Sequence, residues 1–341
     1  MIANLRRYAV TWQAILAYIT IAFILIGIVS TPDFASPYNF QSSVANLSEK
    51  ALMALPLALL ILVRQIDISI ASTAALSGIT MSLAIQGGVP APLAILVALV
   101  VGLVCGAVNG VLVAVFKMPA LLVTLGTLSL YRGLCYVLVG GQPIIAPDFI
   151  VAFGNNAIPG TSIPLAIIPF VLAAPIFAVV LHRMAPGRRL FAIGGNPETA
   201  RYSGIANDRI TFSLFVLSGL ASAMAGIIAT GRASSASPAS LFGAELDCVT
   251  IVFLGGFSFL GGAGRLSGLI WAVALVVIVR SILLLNGASG DAQATAIGLL
   301  LILSLLTSNL VRRYTAARGQ RHARDAVAST DFANVPLADA P

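Results

Sequence analysis

Few residues in this chain are of a type and spacing that support bond-making chemistry. The histidines are His182 and His322, too few and too far apart for an HExxH-type metal site. Cys105, Cys135 and Cys248 all fall inside apolar runs without metal-ligand spacing and read as small buried hydrophobes. No metal site is expected. A nucleotide-hydrolysing loop needs a lysine behind its glycines to reach the phosphates, and Lys50 (in SEKA) and Lys117 (in VFKMPA) follow no such loop. The cluster Gly255-Gly256 and Gly261-Gly262-Ala263-Gly264 has the density of a dinucleotide loop but lacks the preceding strand and the acidic residue of a βαβ unit. It reads as unwound or closely packed backbone between two apolar segments. The chain is therefore expected to bind no cofactor and to catalyse no reaction of its own.

What remains are isolated ionisable residues in apolar surroundings: Asp67, Arg132 and Arg280, with Glu245 and Asp247 at a segment edge. A proton-coupled pump uses several intramembrane carboxylates as relays, and Asp67 alone is thin support for one. An arginine at mid-membrane costs about 2.5 to 3.5 kcal/mol, so Arg132 is expected to face protein or water, or with Arg280 to snorkel at the outer interface.

The elements that hold these residues are set by composition. The 341 residues are 59% hydrophobic and 9% charged, with apolar runs recurring along most of the length. The runs are continuous rather than alternating, which favours helices over a barrel, since a helix satisfies its own backbone in lipid. The expected fold is an all-α polytopic membrane protein of about ten transmembrane helices. They run approximately over Tyr8 to Ser30, Ala51 to Val63, Ile68 to Gln86, Pro92 to Phe116, Ala120 to Val139, Ile163 to His182, Ile210 to Thr230, Val249 to Leu260, Leu269 to Leu285 and Ala294 to Val311. The second and eighth are short for a bilayer. Within the fourth, Gly102, Gly106 and Gly110 share one helical face, a ridge that lets a neighbouring helix approach closely.

With a cytoplasmic N-terminus, this count puts Arg64, Lys117, the segment 183–209, Arg265 and the tail from Arg312 on the cytoplasmic side. Lys50, Arg132, Arg232 and Arg280 are the basic residues left over. The net charge of +7 is thereby topogenic and calls for no nucleic-acid partner. Arg6 and Arg7 precede a long apolar run with no small-x-small site before Pro32, which suits an uncleaved first span. Residues 1–311 are expected to form the transmembrane domain, and 312–341 a basic then disordered cytoplasmic tail flanked by membrane lipid.

The segment 183–209 is a polar island, with Arg183, Arg188, Arg189, Arg201 and Arg209 against Glu198 and Asp208. Asn196-Pro197-Glu198 is a helix start: Asn caps, Pro suits the first turn, and Glu complements the positive end of the dipole. Gly204 suits the other end. A helix over Pro197 to Ser203 follows, flanked by flexible Gly194-Gly195; so short a helix needs a docking partner.

The stretch GRRLFAIGGNPETARYSGI, residues 187–205, resembles the cytoplasmic coupling loop of ABC importer permeases for monosaccharides, the ribose, xylose, arabinose, rhamnose and autoinducer-2 type. Three further stretches resemble the same family in the same order: Ile66-Asp67-Ile68-Ser69, PALLVTLGTLSLYRG over 119–133, and Leu254-Gly255-Gly256 through Gly264. Thr199 departs from the family's Ala, and Arg64, Gln65 and Ala71 stand where it has small residues or Gly. Arg64 is placed to pair with Asp67, three residues on.

The resemblance implies the permease subunit of an ATP-driven importer in the bacterial inner membrane. It implies a second permease copy or a paralogue, an ATP-binding cassette subunit that hydrolyses the ATP, and a periplasmic sugar-binding protein. Arg188, Gly194, Gly195, Asn196, Glu198, Ala200 and Gly204 would then serve ATPase coupling. Asp67, Ser69, Thr124, Gly126, Arg132, Gly255 and Gly256 would serve translocation or bundle packing. The alternative is a secondary transporter or facilitator working alone.

Overall fold

A computed structural model describes residues 12–304 and 306. Arg6, Arg7, His322 and the basic stretch and tail from Arg312 lie outside the described residues. The helices are α1 (Trp12–Ser30), α2 (Pro37–Leu62), α3 (Ile70–Gln86), α4 (Ala91–Gly110, extended by a π turn Val111–Val115), α5 (Ala120–Val139) and α6 (Asp148–Asn155). They continue as α7 (Ile168–Arg183), α8 (Ala185–Gly195), α9 (Pro197–Tyr202), α10 (Asn207–Arg232), α11 (Ala244–Leu254), α12 (Leu266–Leu285) and α13 (Gly290–Ser304). Among the described residues the sheet is one antiparallel pair, β1 (Ile144–Ile145) on β2 (Ser235–Ala236), with Ile144 opposite Ala236.

Among the described residues, seven helices are long and apolar enough to cross a membrane: α1, α2, α4 with its π turn, α5, α7, α10 and α12. The other expected spans fall on α3 and α11, which are shorter, and on α13, whose expected span to Val311 runs on outside the described residues. The second expected span is not short. It begins at Pro37 rather than Ala51, because Ser36 caps it by accepting from the Asn39 amide and Pro37 pre-sets the first turn. Glu49 and Lys50, just before the expected start at Ala51, are inside the helix and paired.

α2 is the core of the bundle, buried on every side from Ala51 to Val63, as a helix apolar all round must be. Around it, α10 packs on α4 and α3 through glycine. A Cβ on Gly102 would sit 2.4 Å from the Gly219 carbonyl oxygen, and one on Gly106 2.4 Å from that of Phe215. A Cβ on Gly226 would sit 2.0 Å from the Ala74 oxygen. Gly110 faces Phe212, so the whole ridge of α4 lies against one helix.

The four leftover basic residues are all partnered. Lys50 Nζ lies 2.7 Å from Asp247, and Arg280 Nη2 donates to both oxygens of the same carboxylate at 2.7 Å. Arg232 donates to Glu49, which is 1% exposed. Arg132 donates to the carbonyls of Pro238 and Ser240 and lies 5.9 Å from the Phe242 ring centroid. Arg280 therefore does not snorkel free: a buried carboxylate needs its countercharge, and Asp247 takes two.

Candidate functional site

α9 is built as its capping residues require. Asn196, extended at φ −152°, accepts from the amides of Glu198 at 3.0 Å and Thr199 at 3.1 Å. Gly204 at φ +80° ends the helix, letting the Ile205 amide turn back to the Ala200 carbonyl at 3.1 Å. The helix rests on Ala200, which is buried, and presents Glu198, Thr199, Arg201 and Tyr202 to the outside, Tyr202 at 91% exposure. Asn207 Nδ2 donates to the Pro197 carbonyl at 2.8 Å and fixes α9 to the start of α10. A cleft of about 320 Å³ lined by Pro197, Glu198, Arg201, Ile205 and Asp208 lies between them. Lys117 pairs with Asp208 beside it.

The island is not mainly loop. Arg183 ends α7, and residues 185–195 form α8, with Arg188 on its exposed side. Nor is Gly194 a hinge: it is buried in the last turn of α8, where a Cβ would lie 2.0 Å from the Leu62 oxygen and 2.4 Å from the Gly262 nitrogen. The glycine is there because three backbones meet. The Gly262 amide donates to the Leu62 carbonyl at 2.9 Å, joining the α11–α12 turn to the end of α2.

Arg64 locks this junction. It stands at φ +65°, its Nε donates to the Gly194 carbonyl at 2.8 Å and its Nη2 to that of Gly195 at 2.6 Å. The expected pairing with Asp67 does not form. The last carbonyls of α8 are orphan acceptors that a cation suits, whereas Asp67 is already satisfied. Asp67 Oδ1 accepts from the Ser69 amide at 3.0 Å and hydroxyl at 2.7 Å, and Oδ2 from the Ser218 hydroxyl of α10 at 2.8 Å. Asn109 of α4 donates to Ser69 Oγ at 2.8 Å. Thr124 of α5 bonds its own helix at Ala120 and only approaches the Ile66 carbonyl, at 3.4 Å. The break between α2 and α3 is thus a buried polar knot that ties α4 and α10 together.

Residues 42–305 match the model of a family described as the branched-chain amino acid transport system, permease component. The chain belongs to this permease family. The permease is 33% identical over 310 residues to the ribose import permease protein RbsC of Haemophilus influenzae, covering 89% of this chain and 94% of that protein. It is 36% identical over 289 residues to RbsC of Bacillus subtilis, covering 83% and 89%. To the autoinducer 2 import system permease protein LsrD of Escherichia coli it is 33% identical over 305 residues, covering 85% and 90%. No solved structure matches it.

In the permease, the residues singled out from sequence fall into separate places. Gly194 and Gly195 lie at the junction, Asn196, Glu198, Ala200 and Gly204 build and end α9, and Arg188 is exposed at the start of α8. Asp67 and Ser69 form the knot, with Thr124 at its edge. Gly255 packs against the start of α12, its Cβ position 2.8 Å from Leu269 Cα, and Gly256 lies under Trp12, whose Nε1 donates to the Leu254 carbonyl at 2.8 Å. Gly126 is different: among the described residues nothing lies within 4 Å of its Cβ position, so it packs against none of their helices and sits on the exposed face of α5. Arg132 is far along α5, anchoring the loop that leads into α11. Sequence reasoning missed Arg64 as the junction's lock. Its signal was the basic residue itself, out of place at a turn where the resembled family has small ones.

Proposed function

We propose that the permease is the transmembrane subunit of an ATP-driven ABC importer for a monosaccharide or a related small polar solute. The names of its relatives, ribose and autoinducer 2 import permeases, favour a sugar-like solute over the amino acids of the family description. The observation that carries the coupling is the junction: the exposed α9 is joined through the end of α8 to the ends of two interrupted elements, α2–α3 and α11–α12. A separate ATP-binding cassette docks on Glu198, Arg201 and Tyr202, and its closure on ATP displaces α9. Because Gly194 leaves no gap at Leu62 and Gly262, the displacement passes to the core helix α2 rather than being absorbed. The solute moves between permease copies without chemistry, delivered by a periplasmic binding protein. About ten spans of the inner membrane with both termini cytoplasmic would leave the basic residues around α9 on the cytoplasmic side.

Reconstitution tests this reading. Proteoliposomes with the permease, the cassette and the binding protein are expected to accumulate solute only with internal ATP. Uptake by the permease alone, driven by an ion gradient, would overturn it in favour of a stand-alone transporter.

A further inference from the structure

One positive charge inside the bundle has no counterpart among the described residues. Lys50 of α2 and Arg280 of α12 share a single carboxylate, Asp247 of α11. Lys50 Nζ lies 2.7 Å from it, and Arg280 Nη2 lies 2.7 Å from both of its oxygens. The neighbouring acids are engaged elsewhere, Glu49 with Arg232 and Glu245 with Arg132 of α5. Two cations on one carboxylate leave one positive charge over. The side chains of Lys50 and Arg280 are only 14% and 24% exposed, so water and salt screen that charge poorly. Arg280 Nε is also buried without a hydrogen-bond partner among the described residues.

The same two cations open on a chamber of about 220 Å³, which nothing in the transport reading uses. Asn46 of α2, Ser281 of α12 and Gln293 of α13 add polar groups to its wall, and among the described residues no carboxylate lines it. It runs along α2 from Ser43 to Lys50, at the middle of that helix, and along the second half of α12 from Val277 to Leu284. At the opposite ends of both helices Leu62 meets the α11–α12 turn, so the chamber lies on the side of the bundle away from α9. The geometry points to a binding site for one small monovalent anion in this chamber, held by Lys50 and Arg280. Water satisfies the donors but supplies no charge, and a neutral polyol leaves the same excess in place. A dianion overshoots and strands a negative charge instead. One monoanion makes Lys50, Arg280 and Asp247 neutral as a group and clamps α11 between α2 and α12.

The test is thermal unfolding of the full-length permease in neutral detergent, at constant ionic strength, with chloride exchanged for lactobionate, an anion too large for about 220 Å³. The midpoint is expected to rise saturably with chloride, by about 2 to 3 °C once chloride stands about tenfold above its dissociation constant. Asn46→Asp, at an exposed position on the chamber wall, supplies the missing negative charge from the protein itself. It should raise the midpoint in lactobionate and abolish the rise with chloride. Arg280→Gln, which leaves Asp247 paired with Lys50 alone, should abolish that rise as well. If Arg280→Gln fails to fold, Asn46→Asp decides the matter by itself. Equal wild-type midpoints in chloride and lactobionate refute the site. A chloride rise of wild-type size in Asn46→Asp marks a general salt effect and also refutes it. A saturable rise with uncharged ribose in lactobionate, and none with chloride, would assign the chamber to a polyol and equally overturns the anion. None of these results depends on whether transport is ATP-driven.

Discussion

Removing the Arg64 side chain should separate coupling from folding, and two substitutions make the separation measurable. The inner hydrogen bond, Nε to Gly194, is partly buried, and the outer one, to Gly195, is exposed. With a charged donor the first contributes about 1.5 to 3 kcal/mol and the second much less, so the link between α9 and α2 loses about 2 kcal/mol. That is about 30-fold in the equilibrium between linked and slack states. Arg64 also stands at φ +65°, where a side chain costs about 1 to 2 kcal/mol that glycine avoids. Arg64→Ala therefore loses the link and keeps the strain, whereas Arg64→Gly loses the link and recovers about 1 kcal/mol. Both should hydrolyse ATP in the reconstituted complex while transporting less solute per ATP, by a factor approaching about 30. Thermal unfolding in detergent should rank Arg64→Gly above Arg64→Ala. A wild-type ratio of solute to ATP in either variant, or the reverse order of stability, would refute the reasoning.

Reversing Glu198 to Lys, or placing Val at Gly204 where φ is +80°, should uncouple hydrolysis from uptake with insertion intact; wild-type uptake in both removes α9 as the docking element. Gly106→Val should lower the thermal midpoint sharply, because its Cβ would lie 2.4 Å from the Phe215 oxygen, whereas Gly126→Ala, with open space around it, should leave the midpoint unchanged. Arg232→Ala strands the buried Glu49 carboxylate and should cost about 3 to 5 kcal/mol, part of which Arg232→Ala with Glu49→Ala regains; denaturation of both variants measures the difference.

The parts of this molecule legible in its sequence are those governed by local rules. Asn196 caps α9 through amides two and three residues on, and the glycines of α4 recur at the helical period, so both features are written within a few residues. The parts that were not legible depend on distant partners. Lys50 stood just outside the expected start of a span at Ala51, because the countercharges that let Glu49 and Lys50 enter the helix come from α10 and α11. Gly194 looked like a hinge because nothing nearby in sequence says that Leu62 and Gly262 fill the space where its side chain would be. Arg64 was assigned to the nearest carboxylate, and local distance was the wrong criterion: Asp67 had found hydroxyl and amide donors, and α8 had carbonyls to offer.

The Glu49–Arg232 pair also bears on how the chain is made. The two residues are 183 positions apart, so at about 5 to 20 residues per second the ribosome delivers the arginine about 10 to 40 s after the glutamate. During that interval α2 carries a carboxylate and an ammonium that a lone helix in lipid solvates poorly. The nascent helix is therefore expected to wait in the translocon, at the interface or under an insertase until α10 brings the partner of Glu49 and α11 that of Lys50. Release of α2 into the bilayer is then expected to be timed by the synthesis of its partners, and chains truncated before Arg232 to leave Glu49 without its countercharge.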